Sequence, residues 1–380
     1  MIKHIISPIY EMLELKESVS GSKIGLKSKL DENILLLNED ITFCLHLYQA
    51  PQYFSVIIHQ FALKYAATES EIEPIVLQFF NLLTQKGILV TETEAIRISQ
   101  MKHEPPSRVG ETILGFQLEK RLTFAMPIDI YSAKNEAGKA FLVKILAVPL
   151  NPSKEDKRFW QRCFKNEFEI LKRISDNSDF KGICRFISFD SKKMVGVTTF
   201  FENSESLLTR IEDNPVKLTL DEKIKIFKQL TSILTYIHRK NVLHGDLHTS
   251  NILINDRGEV CLIDFDLAIQ LDKKMNEDLA WGGALEFIPP ENINQNAFEK
   301  VRTYPTLLSE LFQLGVVGYF LFYEKLPFDG RTWTELAQAI LNQNPNFESD
   351  TIPLSIQTFI KQIMSKIPAE RQVDLALIPF

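Results

Sequence analysis

Apolar positions recur at two spacings along the chain, and the switches between them outline its elements. In GLKSKLDENILLLNEDI, residues 25–41, short alternating runs flank an Asp-Glu-Asn turn signal at 31–33, which predicts two or three small strands. PQYFSVIIHQFALKYAA then reads as a helix. Thr68 follows as an N-cap with Glu71 three residues on, a capping box. The helix it opens places Ile72, Ile75, Val76, Phe79, Phe80, Leu82 and Leu83 on one core-facing side. Gly87 sits where that helix should stop, and ILV begins a closing strand. MKHEPPSRVG, residues 101–110, reads as a linker, because Pro105 and Pro106 suit neither helix nor central strand. Strands are expected over about 112–150, a helix around 155–175, and further strands to about 201. From about 219 the pattern is helical, apart from VLHGDLHTSNILI at 242–254, where two β-type apolar runs enclose two histidines, an aspartate and an asparagine. Polar groups held between buried runs need partners or a ligand.

Composition narrows the classes. At 380 residues the chain is long enough for two domains, and 45% hydrophobic residues supply a sizeable core. A net charge of −6 and a pI near 5.8 argue against a nucleic-acid binder or a basic membrane-surface protein. Cys44, Cys163, Cys184 and Cys261 form no C-x-x-C pair, so neither a zinc site nor a disulfide framework is indicated, and a reducing, cytoplasmic compartment is expected. MIKHIISPIYEMLELKES turns acidic before any long apolar core and is a poor signal peptide. LFQLGVVGYFLFY, residues 311–323, is too short to cross a bilayer and reads as a buried core helix.

The chemistry concentrates in a few positions. Asp246 and Asn251 lie five apart, and Asp264, in CLIDFDLA, lies thirteen beyond Asn251. Upstream, KAFLVKILAV sets Lys144 in an apolar strand, and FKNEFEILKRI sets Glu167 on a helix. Phosphoryl transfer asks for oxygen ligands for Mg²⁺, a carboxylate to orient the nucleophile and a cation on the phosphates. Asn251 and Asp264 can supply the metal ligands, Asp246 the orienting carboxylate and Lys144 the cation, with Glu167 keeping Lys144 in place and charged. His46, His59 and His238 lie on apolar-rich helices and are expected to be packed or solvent-facing rather than ligands.

Roughly residues 112–380 resemble the protein-kinase-like superfamily. HGDLHTSN stands where the catalytic loop H-R-D-L-x-x-x-N would stand, and IDFD stands where D-F-G would. Lys144 and Glu167 match the family's strand lysine and helix glutamate, FIPPE matches A-P-E, and Arg371 in IPAERQ matches the arginine that pairs with its glutamate, here Glu291. The resemblance implies that His244 supports the loop by hydrogen bonding. It also implies ATP and Mg²⁺ as cofactors, with Asp246, Lys144, Glu167 and His248 catalytic, Asn251 and Asp264 on the metal, and Lys144, Thr123, Ala125, Thr199 and Phe201 at the nucleotide.

Departures are equally specific. The glycine-rich loop should be LTFAMPIDIYSA, residues 122–133, yet Thr123, Ala125 and Ile128 occupy the glycine positions and Pro127 lacks an N–H. Gly245 replaces an arginine, His248 a lysine, Ala284 a threonine and Asp266 the D-F-G glycine. H-G-D-L-H and I-D-F-D also resemble aminoglycoside and choline phosphotransferases. The segment 45–90 is similar to the small winged-helix PqqD-like domain, a leader-peptide recognition element, and it lacks the basic helix that DNA binding would need.

The expectation is therefore an α+β chain with three parts. A PqqD-like winged-helix domain occupies 1–100, a linker 101–111, and a bilobal protein-kinase-like domain 112–380, its small lobe about 112–202 and large lobe about 203–380. The function implied is ATP- and Mg²⁺-dependent phosphorylation of a hydroxyl on a peptide or protein substrate recruited partly by the N-terminal domain, with no nucleic-acid partner and no membrane insertion. The alternatives are a pseudokinase that binds nucleotide or scaffolds without phosphoryl transfer, and a small-molecule phosphotransferase.

Overall fold

The structure, a computed structural model, describes residues 4–6, 10–16, 22–28, 34–36, 39–49, 53–85, 88–91, 105–125, 127–148, 154–175, 180–272, 284–294, 305–330, 333–371 and 375. The turn signal at 31–33, Gly87 and residues 101–104 of the expected linker lie outside these. The chain divides into two compact units, the first holding residues 1–106 and the second most of the chain from 107 onward.

In the first unit, β1 (His4–Ile6) pairs antiparallel with β5 (Leu89–Thr91), while β2 (Tyr10–Lys16), β3 (Ser22–Ser28) and β4 (Ile34–Leu36) form a separate antiparallel sheet. The helices are α1 (Glu39–Leu47), α2 (Phe54–Tyr65) and α3 (Glu69–Gln85). Their core gathers Cys44, Leu45, Tyr48, Ile57, Phe61, Ile72, Val76 and Leu83. Two expectations for α3 need correction. Ile72, Val76 and Leu83 are buried, but Ile75 and Leu82 are exposed, because seven apolar residues span a wider arc than the core side of the helix covers. Only half of the capping box forms: the Thr68 N–H donates to Glu71 Oε2 at 2.9 Å, whereas the Glu71 N–H bonds the Thr68 carbonyl oxygen rather than its hydroxyl.

The second unit opens with a six-stranded antiparallel sheet in the order β10–β11–β9–β8–β7–β6. Its strands are β6 (Thr112–Ile113), β7 (Phe116–Ala125), β8 (Ile128–Lys134), β9 (Ala140–Leu146), β10 (Phe186–Asp190) and β11 (Val195–Thr199). Alternation sorts its faces. Tyr131, Ala133, Val143, Ile145, Val195 and Val197 fill one side as a core. Lys144 pairs with Ile130 and Gly196 on the other. Helix α4 (Lys154–Ile174) packs there. A Cβ on Gly196 would sit 1.8 Å from the Phe168 ring, so glycine is what lets α4 approach. Phe168 in turn stacks on Phe189 at 5.1 Å.

The remainder is largely helical: α5 (Leu207–Glu212), α6 (Leu220–Arg239), α7 (Leu307–Tyr323), α8 (Trp333–Asn342) and α9 (Leu354–Ile363). As its all-round apolar sequence requires, α7 is buried from Ser309 to Phe322. Short strands β12 (Ser204–Ser206), β13 (Val242–Leu243), β14 (Ile252–Asn255), β15 (Val260–Leu262) and β16 (Ile269–Gln270) frame the polar segment at 244–251. The architecture is α+β and fits a bilobal arrangement of sheet and helices. Among the described residues, no helix is long and apolar enough to cross a membrane.

Candidate active site

Strand β9 and helix α4 bring the first charged pair together. Lys144 Nζ lies 2.5 Å from Glu167 Oε1 and 3.7 Å from Asp264 Oδ1. Both members of the pair are nearly buried, whereas the Asp264 side chain is 44% exposed. Burial opposes the charge on Lys144, but Glu167 and then Asp264 outweigh it and hold the ammonium above its ordinary range.

Asp264 has φ +67°, a left-handed conformation that costs a non-glycine residue of order 1 kcal/mol or more. The following residues hold it there. Phe265 is buried edge-on against the His244 ring at 4.8 Å. Asn166, on α4, donates from Nδ2 to the carbonyl oxygens of Asp266 and Ala268 at 2.9 and 2.8 Å. Asp266 is pushed well above the usual carboxylate range, first by burial and then by Asp264, Glu167 and Asp246. Three carboxyl groups, Glu167, Asp264 and Asp266, act on one lysine, which leaves the site short of positive charge.

The loop at 244–251 is equally constrained. His244 is fully buried; its Nε2 donates to the Ile263 carbonyl oxygen at 2.8 Å and its Nδ1 accepts the Asp246 N–H at 3.3 Å. Gly245 has φ +80°, and a Cβ there would come 2.4 Å from the Leu267 carbonyl oxygen. Its replacement of arginine is therefore steric as well as electrostatic: loop and DFD segment touch backbone to backbone. The Asn251 Nδ2 donates to the Asp246 carbonyl oxygen at 3.0 Å. Asp246 presents Oδ1 to the Ala284 N–H at 3.4 Å and lies 3.7 Å from His248 Nε2. The His248 Nδ1 accepts the Ser250 N–H, which places the ring proton of the neutral form on Nε2, facing Asp246. Burial lowers the His248 pKa, so the ring favours that neutral form.

Beneath the loop lies a residue the sequence reading passed over. Glu310, on α7, is 1% exposed and accepts the N–H groups of His244 at 2.5 Å and Gly245 at 3.1 Å, and it also pairs with His238. Burial raises its pKa, but His238, His244 and the Gly245 N–H bring it below the ordinary value. His238 is thus a packed partner, while His46 and His59 lie at the exposed surface, bonded to Gln49 and Glu69. A charge inside an otherwise apolar run was the available signal for Glu310. Thr198 was also missed: it is 3% exposed and its hydroxyl has no hydrogen-bond partner among the described residues.

The remaining expected residues sit on or beside other elements. Thr123 is exposed on β7 opposite Ile130, and Ala125 pairs with Ile128 where the β7–β8 hairpin closes. No described residue from 116 to 134 has a positive φ. The hairpin is tied instead by Arg121, which grips buried Asp129 at 2.6 and 3.0 Å. Thr199 ends β11 with its hydroxyl accepting the Arg185 N–H at 2.8 Å, and Phe201 follows two residues on. Glu291 and Arg371 form a bidentate pair at 2.7 and 2.8 Å, with Arg371 fully buried. Among the described residues no three His, Cys, Asp or Glu side chains converge as a metal cage. Mg²⁺ needs none, since it is commonly held by one or two protein oxygens together with phosphates and water. The donor set of Asp264 and Asn251, in a field of excess carboxylate, fits that ion.

The protein kinase domain pattern matches residues 129–374, well over half of the chain. The chain is 30% identical over 193 residues to a serine/threonine-protein kinase of Acanthamoeba polyphaga mimivirus, covering 48% of this chain and 65% of that protein. It is 29% identical over 155 residues to Aurora kinase C of Mus musculus, covering 41% and 52%. With CDPK-related kinase 1 of Arabidopsis thaliana it shares 25% identity over 244 residues, covering 62% and 40%. The chain thus spans between about two fifths and two thirds of the length of these relatives. With sheet, helix pair and loop in this order, the chain belongs to the protein kinase family.

Proposed function

We propose that this chain is an ATP- and Mg²⁺-dependent phosphotransferase acting on a hydroxyl of a peptide or protein, recruited in part by residues 1–100. The observation that carries the reading is Lys144 held between Glu167 and Asp264, because in kinases the lysine–glutamate pair and the metal-binding aspartate must both be in place. Bound Mg²⁺ supplies charge neutralisation on the donor phosphates. Asp264 and Asn251 are the residues to hold it. Lys144 binds the donor's phosphates and Glu167 fixes its ammonium. Asp246 accepts the hydrogen bond of the acceptor hydroxyl and aims it. His248, neutral with its proton on Nε2, offers a hydrogen-bond donor beside Asp246 where most serine/threonine kinases place a cation. The mimivirus relative, named as a serine/threonine-protein kinase, supports a protein acceptor.

The resemblance of residues 45–90 to PqqD-like winged helices supports peptide recruitment. Ahead of that segment in the same unit, the separate antiparallel sheet β2–β3–β4 (Tyr10–Leu36) has an edge to which an extended peptide can add. One observation favours a second reading, a nucleotide-binding pseudokinase: the β7–β8 hairpin contains no glycine, and none of its described residues has a positive φ with which to wrap phosphates. Calorimetry with Mg-ATP on wild type and Asp264→Asn tests the carrying observation. The proposal expects binding in the wild type and its loss in the variant; equal binding by both means that the metal site is misplaced.

A further inference from the structure

Next to the charged cluster but not part of it, two thiols meet. Cys184 Sγ lies 3.6 Å from Cys261 Sγ across 77 residues of sequence. The backbone holds them there. Ile183 and Leu262 form a parallel β-bridge, and the Leu262 N–H donates to the Gly182 carbonyl oxygen at 2.8 Å. Both cysteines line a cavity of about 1250 Å³, whose wall also includes Arg185, Phe201, Gln229 and Asn255. Cys184 is partly exposed and Cys261 is buried behind it. The remaining two cysteines, Cys44 and Cys163, do not line that cavity, and burial pushes each thiol up to about 12. By contrast, the hydrogen bond from Cys261 lowers Cys184, with Lys144 adding a smaller pull in the same direction.

We propose that Cys184 and Cys261 are a peroxide-sensitive dithiol, a modification site that closes to a disulfide beside the phosphotransfer centre. The Cys184 thiolate attacks one oxygen of a hydroperoxide; the O–O bond breaks, and Cys184 becomes a sulfenic acid as water or an alcohol leaves. The Cys261 sulfur then attacks that sulfenic sulfur, the S–S bond forms and water departs. The two thiols together lose two electrons and two protons, and the peroxide is reduced. The sulfurs must close from 3.6 Å to about 2.05 Å. Segment 182–184 leads into β10 of the six-stranded sheet, and Cys261 stands three residues before Asp264. The bond therefore fastens the chain entering the sheet to the strand that delivers Asp264. Any effect on turnover rests on the phosphotransferase reading; the disulfide does not.

The test is mass spectrometric. The full chain is treated with a small excess of hydrogen peroxide, its free thiols are blocked with iodoacetamide, and it is digested with trypsin. The expected product joins the peptide containing Cys184 to that containing Cys261, is abolished by dithiothreitol, and forms while Cys44 and Cys163 remain alkylated. Oxidised wild type should also unfold at a higher temperature, reversibly with reductant. Cys261→Ser should stop at the sulfenic acid, trapped on Cys184 by dimedone. Cys184 and Cys261 both recovered alkylated after peroxide, or Cys184 overoxidised in the wild type with Cys261 free, would overturn the proposal. Neither readout requires kinase activity.

Discussion

Replacing Glu310 by alanine should damage both stability and turnover, because the residue anchors the catalytic loop from below. Its carboxylate accepts two backbone N–H groups of the catalytic loop, at 2.5 and 3.1 Å, and pairs with His238. A hydrogen bond to a buried charge contributes about 1.5–3 kcal/mol, and an orphaned buried donor costs about 1–3 kcal/mol. Three partners lose their acceptor at once, and the effects overlap, so the loss is on the order of 3–6 kcal/mol. For a domain of this size each kcal/mol moves the midpoint by roughly 2–4 °C, giving a fall on the order of 10 °C. The loop that carries Asp246 would also lose its anchor, and a displacement of about 1 Å at a reacting group costs roughly 10²-fold in rate. Glu310→Gln keeps one oxygen for the two N–H groups and should lie between alanine and wild type. Thermal unfolding followed by tryptophan fluorescence and single-turnover phosphate transfer read the two effects separately. An alanine variant melting within about 2 °C of wild type, with turnover intact, would refute the anchoring role.

Three further outcomes follow from other parts of the structure. Asp266→Asn should be more stable than wild type in the absence of metal, by a margin that widens as pH rises from about 4 toward neutral. The folded state holds the Asp266 proton more tightly than the unfolded chain, so ionising it at higher pH penalises only the wild type, and pH-dependent denaturation curves that stay parallel would contradict this. Gly196→Ala drives a methyl group into the Phe168 ring and should cost about 1–3 kcal/mol while weakening Mg-ATP binding, because Phe168 adjoins Glu167; unchanged melting and affinity would show that α4 can shift freely. Removing residues 1–100 should raise KM for the native peptide acceptor far more than it lowers kcat and should leave generic acceptors little affected, whereas equal losses on both would reduce the N-terminal unit to a stabilising role.

Much of the second unit was legible because its signals are local. Alternation in IDIYSAK and AFLVKIL fixes two strands, an unbroken apolar run fixes α7, and the spacing of Asp246, Asn251 and Asp264 places three side chains on one short loop and the strand pair behind it. What stayed hidden depends on distance in sequence. Glu310 meets His244 across 66 residues and Asn166 meets Asp266 across 100, and no periodicity reports such pairs. Gly245 read as a missing arginine; only the backbone of Leu267 facing it shows why nothing larger fits. On α3 the helical spacing was sound, but spacing cannot tell how wide an arc the neighbouring helix covers, hence exposed Ile75 and Leu82. The cysteines form no sequence motif for the same reason, since Cys184 and Cys261 meet through the backbone contacts that join 182–183 to 262.

The proposed function stands on Asp246 orienting a hydroxyl for phosphoryl transfer from Mg-ATP. Labelled-phosphate transfer to protein acceptors, run with wild type and Asp246→Asn under identical Mg-ATP, tests it most directly. The wild type should transfer phosphate and the variant should lose roughly 10²-fold or more in kcat, with Mg-ATP affinity retained, because in the proposed role Asp246 acts on the acceptor rather than on the nucleotide. Transfer at the same rate by both proteins, or none by the wild type although it binds Mg-ATP, would contradict it.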